Sequence, residues 1–253
     1  MNRFSRRQVL TTGGVLAASL ATSLNASAQL SAAPLPARSK FKIIVTGGHP
    51  GDPEYGCGGT IARLASMGHD VVLLYLNRGD ISEVPGDTRN FPRVAEAIKA
   101  CSILKARPIF AGQIDSKAIL DPRHYDAFRE IINAEKPDAV FTHWPIDNHP
   151  DHRSMSLLVY DAWRQSKKSF ALFYYEVSNG EDTVMFNPTT YVDISTAETL
   201  KREACFAHAS QNPERYYQLQ ESIARMRGIE SGHKAAESFI HHVQSPPFAL
   251  PGN

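Results

Sequence analysis

Short, uninterrupted apolar runs rich in β-branched residues recur along this chain, and a stretch with helical spacing follows each one. Residues 41–48 (FKIIVTGG), 71–77 (VVLLYLN), 107–111 and 139–142 (AVFT) read as strands buried on both faces. Between and after them, residues 56–67, 90–104, 123–134 and 151–166 place apolar side chains at i, i+3 and i+4, as helices do. Residues 171–177 and 191–194 read as late strands, and 196–207 and 213–226 as helices. Strands that alternate with crossover helices make a mostly parallel sheet covered on both sides. The fold class is therefore α/β, a three-layer Rossmann-like arrangement. Ligands of such sheets gather outside the carboxyl ends of the strands, so the loops after the first and fourth strands are where chemistry is expected.

The start of the chain has a different character. Arg3, Arg6 and Arg7 precede an uncharged stretch from Val9 to Ala28 that ends in the small-x-small pattern Ala26-Ser27-Ala28. The run Ser5-Arg6-Arg7-Gln8-Val9-Leu10 reads as a twin-arginine export signal. Residues 1–28 are thus expected to be a cleaved leader to the periplasm or the exterior; the apolar stretch is weak for a membrane anchor. Residues 29–40 (QLSAAPLPARSK) read as a linker, and residues 41–253 as one domain. Roughly 220 residues suffice for a single α/β core. The formal net charge is +1, so no nucleic-acid partner is implied. Three cysteines (Cys57, Cys101 and Cys205) without ligand spacing imply neither a disulfide framework nor a thiolate metal site.

The two expected loops carry the chemistry. The first holds His49 and Asp52, three apart, among glycines and prolines that permit a tight turn. The second runs from His143 to His152 and contains three histidines and two aspartates: His143, Asp147, His149, Asp151 and His152. Imidazole and carboxylate both ligate zinc, and a catalytic zinc keeps three protein ligands and one open position. His49, Asp52 and one histidine of the second loop meet that count. Two histidines and a carboxylate also form the iron site of some oxygenases, but those usually sit on β-barrels. The Gly56-x-Gly58-Gly59 run lacks the spacing of a dinucleotide loop, and no acidic residue ends the second strand. Trp144 is either a sugar platform or wall packing. Glu237 reads as a solvated helix residue, and His241-His242 as a solvated pair.

The motif His49-Pro50-Gly51-Asp52-Pro53-Glu54, continuing to Gly56-Cys57-Gly58-Gly59-Thr60, resembles the LmbE-like (PIG-L) de-N-acetylase family, as does His149-Pro150-Asp151-His152. Arg93-Val94-Ala95-Glu96 and His208-Ala209-Ser210-Gln211 also match family pieces. The resemblance implies a zinc hydrolase of acetamido groups on N-acetylglucosamine units, another divalent metal being an alternative. It implies His49, Asp52 and His152 as metal ligands. His149 would stabilise the oxyanion or protonate the leaving amine, Asp151 would orient His149, and Arg78 with Asp80 would meet the sugar. The partner implied is a small-molecule or glycan substrate.

One position departs from the family pattern. Gly51 stands where the family carries its general-base aspartate. Glu54, Asp80 or Asp147 could substitute; the metal alone could generate hydroxide; or the chain could be a metal-dependent sugar-binding protein without activity. If hydroxide suffices only in part, Gly51→Asp is expected to raise turnover by up to about 10²-fold, unless the glycine holds a positive φ.

Overall fold

The computed structural model describes residues 40–79 and 92–251. The proposed leader, nearly all of the linker, and Asp80 lie outside the described residues. Seven strands form one sheet in the order β3-β2-β1-β4-β5-β7-β6. They are β1 (Lys42–Gly47), β2 (Asp70–Asn77), β3 (Arg107–Gln113), β4 (Ala139–His143), β5 (Ala171–Tyr175), β6 (Thr190–Asp193) and β7 (Ala236–His241). The pairs from β3 to β5 are all parallel, and β7 runs antiparallel to both β5 and β6. This is the mostly parallel α/β sheet that the strand–helix alternation predicts.

Successive side chains of a strand point to opposite faces, and that period divides the core. Ile43 and Val45, with Leu73, Tyr75, Phe141 and Phe173, build one buried cluster under α1 (Asp52–Ser66), α2 (Pro92–Leu104) and α5 (Glu198–Phe206). Ile44, Val72, Leu74, Val140 and Leu172 build the other, beneath α3 (Pro122–Glu135) and α4 (Pro150–Gln165). The last helix, α6 (Pro213–Ser231), leads into β7. The glycines of α1 serve packing: a Cβ at Gly56 would meet the Tyr175 ring at 2.4 Å, and one at Gly59 would meet Ile194 at 2.5 Å. No described helix is long and apolar enough to cross a membrane.

β7 corrects the sequence reading. The segment read as solvated is an interior strand of the sheet. Glu237 is buried and its carboxylate accepts the N–H groups of Gly59 (2.9 Å) and Thr60 (2.7 Å) while pairing with buried Lys201 at 2.6 Å. His241 stacks on Phe173 and His242 lies against Trp163, so the pair is wall packing rather than a solvated tail. The strand's polar content hid it: AESFIH satisfies its charged residue with a partner 36 residues upstream.

The strand order reverses between β1 and β4. That switch opens a crevice outside the carboxyl ends of both strands, where the N-termini of α1 and α4 also begin.

Candidate metal centre and active site

The turn after β1 delivers the first donors. His49 and Asp52 lie on either side of Gly51, and Asp52 opens α1 with Pro53 behind it. The Asp52 carboxylate accepts the His49 backbone N–H at 2.8 Å, which fixes the turn. Gly48 permits the approach of the two loops. A Cβ there would meet the His152 ring at 3.0 Å and Asp52 Oδ2 at 3.3 Å.

The second loop supplies the rest. His149 caps α4, its Nδ1 accepting the Asp151 backbone N–H at 3.2 Å, and Pro150 occupies the first helical turn. One turn on, His152 points back at Asp52. Asp52 Oδ2 lies 3.4 Å from His49 Nδ1 and 3.3 Å from His152 Nε2. A tetrahedral ion with bonds of about 2.0–2.1 Å has ligand atoms roughly 3.3–3.4 Å apart, so these two separations suit one ion.

The far nitrogens of both imidazoles are held by carboxylates. His152 Nδ1 lies 3.1 Å from Asp147 Oδ1, and His49 Nε2 lies 3.1 Å from Asp151 Oδ2 and 3.2 Å from Asp115 Oδ1. Ionised carboxylates only accept, so these nitrogens carry protons, and the second nitrogen of each ring, His152 Nε2 and His49 Nδ1, faces Asp52, where it can take either a proton or a metal. Carboxylates behind imidazoles are how metal ligands are oriented. The electrostatics agree. Burial opposes charge on His49, but Asp115, Asp151 and Asp52 together hold its proton affinity well above the ordinary imidazole value. Burial likewise opposes charge on His152, yet Asp52 and Asp147 raise it to about 9. The corner has a surplus of negative charge and receives a cation, whether proton or metal.

The described donors form three overlapping clusters: His49 with His149 and His152, Asp52 with His143 and His152, and His49 with Asp115 and Asp151. Of the triad implied by the family resemblance, His49 belongs to the first cluster, Asp52 to the second and His152 to both. His143, at the end of β4, is fully buried. It stacks on His152 with centroids 4.0 Å apart, and its Nε2 accepts the Gly48 N–H at 3.0 Å. Burial and then His152 push its ring down to about 4, so it stays neutral beneath His152.

Several other residues have different surroundings from those the sequence reading gave them. The Asp151 carboxylate orients His49, not His149; Asn77 Nδ2 (3.0 Å) and the Ser116 N–H (2.8 Å) complete its shell. Asp147 accepts His152, the His149 backbone N–H and the Thr183 hydroxyl. Glu54 is fully buried and accepts the Tyr75 hydroxyl at 2.7 Å, with His208 Nε2 at 3.0 Å. Arg78 follows β2 and does not line the cavity; Arg93 does, anchored on Pro50 O at 3.0 Å. Trp144 packs edge-on to Tyr174 and Phe186, away from the cavity lining. The Cys57 thiol is buried outside the donor clusters.

The cavity over these donors has a volume of about 410 Å³. Asp115, Asp182, His208 and Arg215 share its wall with the two loops. The sequence reading missed Asp115 and Asp182 because each comes from a loop with no clustered ligands; their positions at strand carboxyl ends were the available signal.

Comparison with known proteins follows the same lines. Residues 44–163 match the family model described as GlcNAc-PI de-N-acetylase, PIG-L. A diacetylchitobiose deacetylase of Thermococcus kodakarensis is 30% identical over 218 residues, covering 78% of this chain and 81% of that protein. A conserved protein of Thermus thermophilus superposes with a TM-score of 0.69 at 26% identity, covering 84% of this chain and 99% of its own. A 4-carboxy-2-hydroxymuconate hydratase of Pseudomonas putida superposes with a TM-score of 0.71 at 20% identity, covering 83% of this chain and 99% of its own, so the fold alone does not name the reaction. With both loop motifs, the sheet order and a 30%-identical relative matched over most of its length, the chain belongs to the PIG-L (LmbE-like) family.

Proposed function

We propose that this chain is a divalent-metal-dependent hydrolase that removes the N-acetyl group from an N-acetylglucosamine-type amino sugar or its conjugate. The observation that carries the reading is Asp52 Oδ2 between His49 Nδ1 and His152 Nε2, with the outer nitrogen of each ring tied to a carboxylate. The named relative acts on an acetylated glucosamine disaccharide, which supports both the bond cleaved and the sugar class. It also favours catalysis over the non-enzymatic sugar-binding alternative.

His49, Asp52 and His152 would hold the metal, with zinc the leading candidate. When bound, it supplies Lewis acidity toward the acetyl carbonyl and a lowered pKa for water. The protein's own groups do the rest. Asp147 and Asp151 fix the ring orientations of His152 and His49. The Asp151 amide donates to His149 Nδ1, so the neutral His149 ring carries its proton on Nε2. Burial, and then the neighbouring His49 and His152, lower its affinity for a second proton. His149 therefore serves as a hydrogen-bond donor to the developing oxyanion, the first of the two roles that the resemblance allows. Such a donor contributes about 10²–10³ in turnover.

The test is a screen of acetylated amino sugars for free-amine release by the metal-loaded chain. His152→Ala is expected to lose the metal and the activity together. His149→Ala is expected to keep the metal and lose about 10²–10³ in kcat. A fully metal-loaded His152→Ala, or a wild type inert on every acetamido sugar, overturns the assignment.

We also infer that the chain is exported by the twin-arginine route, on the strength of Arg6-Arg7, the uncharged stretch behind them and the Ala-Ser-Ala end.

A further inference from the structure

We propose that Asp182, on the loop after β5, accepts the proton of the hydrolytic water and so replaces the aspartate that this chain lacks at Gly51. The proposal rests on the de-N-acetylase reading. Losing a base ordinarily costs about 10²–10⁴ in rate, so an active chain with Gly51 needs another acceptor facing the cavity.

The described carboxylates narrow the choice. Glu54 is committed to Tyr75 and His208, and Asp147 to His152, Thr183 and the His149 amide. Asp52 and Asp151 belong to the donor shell. Asp115 lines the cavity, but its Oδ1 engages His49 and Ser116 and its Oδ2 lies 3.6 Å from Arg93. Both of its oxygens are thus already engaged, one as the orienting partner of His49 and the other by a guanidinium. Glu181 is exposed.

Asp182 differs in each respect. It lines the same cavity as His49, Asp52, His149 and His152. It is half-buried; a hydrogen bond from Ser178 meets its side chain, and no ion pair engages it among the described residues. Its loop is fastened to the loop that carries His149. The Asn148 N–H donates to Asp182 O at 2.8 Å, the Val184 N–H to Ile146 O at 3.1 Å, and the Thr183 hydroxyl to Asp147 Oδ2 at 2.9 Å. The carboxylate is therefore presented from a fixed backbone, and its substitution leaves those bonds intact. Burial raises its proton affinity; His152 opposes this, Asp147 and Asp52 add to it, and the Ser178 hydrogen bond lowers it slightly. A carboxylate of raised proton affinity facing the cavity is a better proton acceptor than an unshifted one.

In the step, the water oxygen bonds to the acetyl carbon and one water proton passes to Asp182. The carbon–nitrogen bond then breaks, its electron pair stays on nitrogen, and Asp182 returns the proton there. The acetic acid formed gives its own proton to the free amine, leaving acetate and an ammonium group.

The experiment uses the metal-loaded chain and N,N′-diacetylchitobiose, with Asp182→Asn, Asp182→Ala, Asp115→Asn and Asp80→Asn compared with wild type. Acetate release, bound metal, melting temperature and affinity for free glucosamine are measured. Asp182→Asn is expected to lose about 10²–10⁴ in kcat with metal content, melting and glucosamine affinity unchanged. Added formate is expected to restore part of the Asp182→Ala activity, which a scaffold residue would not show. Wild-type turnover in Asp182→Asn overturns the proposal alone. So does a loss accompanied by lost metal or absent formate rescue, or a base-type loss in Asp115→Asn or Asp80→Asn instead. No acetate from wild type on any acetamido sugar overturns the de-N-acetylase reading, and this proposal with it.

Discussion

Gly51 holds φ at 115° and ψ at −40° just before α1. That backbone conformation is one that a side chain with a Cβ rarely adopts. Space is not the obstacle, because a Cβ there would meet the Tyr55 ring at a comfortable 3.6 Å. The sequence-based expectation that Gly51→Asp raises turnover therefore meets a backbone cost. Gly51→Asp should lose about 1–3 kcal/mol of stability and gain no activity, measured by urea unfolding and acetate release on metal-loaded protein. Wild-type stability would show that the turn relaxes to negative φ. The candidate site residues His49, Asp52, His149 and His152 were legible, because they cluster in two short motifs. Asp115 and Asp182 were not, because isolated aspartates in loops look alike until the fold brings them to one cavity.

At the scale of elements, the parallel core was readable because β1, β2 and β4 are apolar on both faces. β7 was not, because its Glu237 is tolerated only through Lys201 and the amides of α1. Removing one partner of a buried pair strands the other charge, at a cost of about 3–5 kcal/mol. Glu237→Ala should lower the unfolding free energy measured by urea titration by that much and loosen α1 against β7. A loss well under 1 kcal/mol would mean that water reaches Lys201. The helix starts have the same double character. α1 was expected from residue 56 and begins at Asp52, because the turn that starts at His49 runs directly into the helix, with Gly51 as its N-cap and Asp52 as its first residue. The N-cap of α4 is likewise His149, so one residue closes the helix and faces the site.

For the whole molecule, the export signal makes a prediction independent of the catalytic site. Arg6→Lys with Arg7→Lys should leave uncleaved precursor in the cytoplasm, seen by fractionation and immunoblot; normal export of the double variant would refute the twin-arginine reading. Within the folded part, local sequence determined the α/β class, the parallel strands and the two loops that carry chemistry. It could do so because burial on both faces and tight-turn ligand motifs are written in consecutive residues. The tertiary structure decided which nitrogen of His49 and His152 faces Asp52, that Asp151 serves His49, and that Arg93 rather than Arg78 lines the cavity. It also decided the place of β7 and Asp182 at the β5 side of the sheet. Apart from the His152–Asp147 contact, which is local, those facts depend on residues far apart in the chain, His49 and Asp151 more than a hundred positions, whose contact is set by sheet order and not by neighbouring sequence.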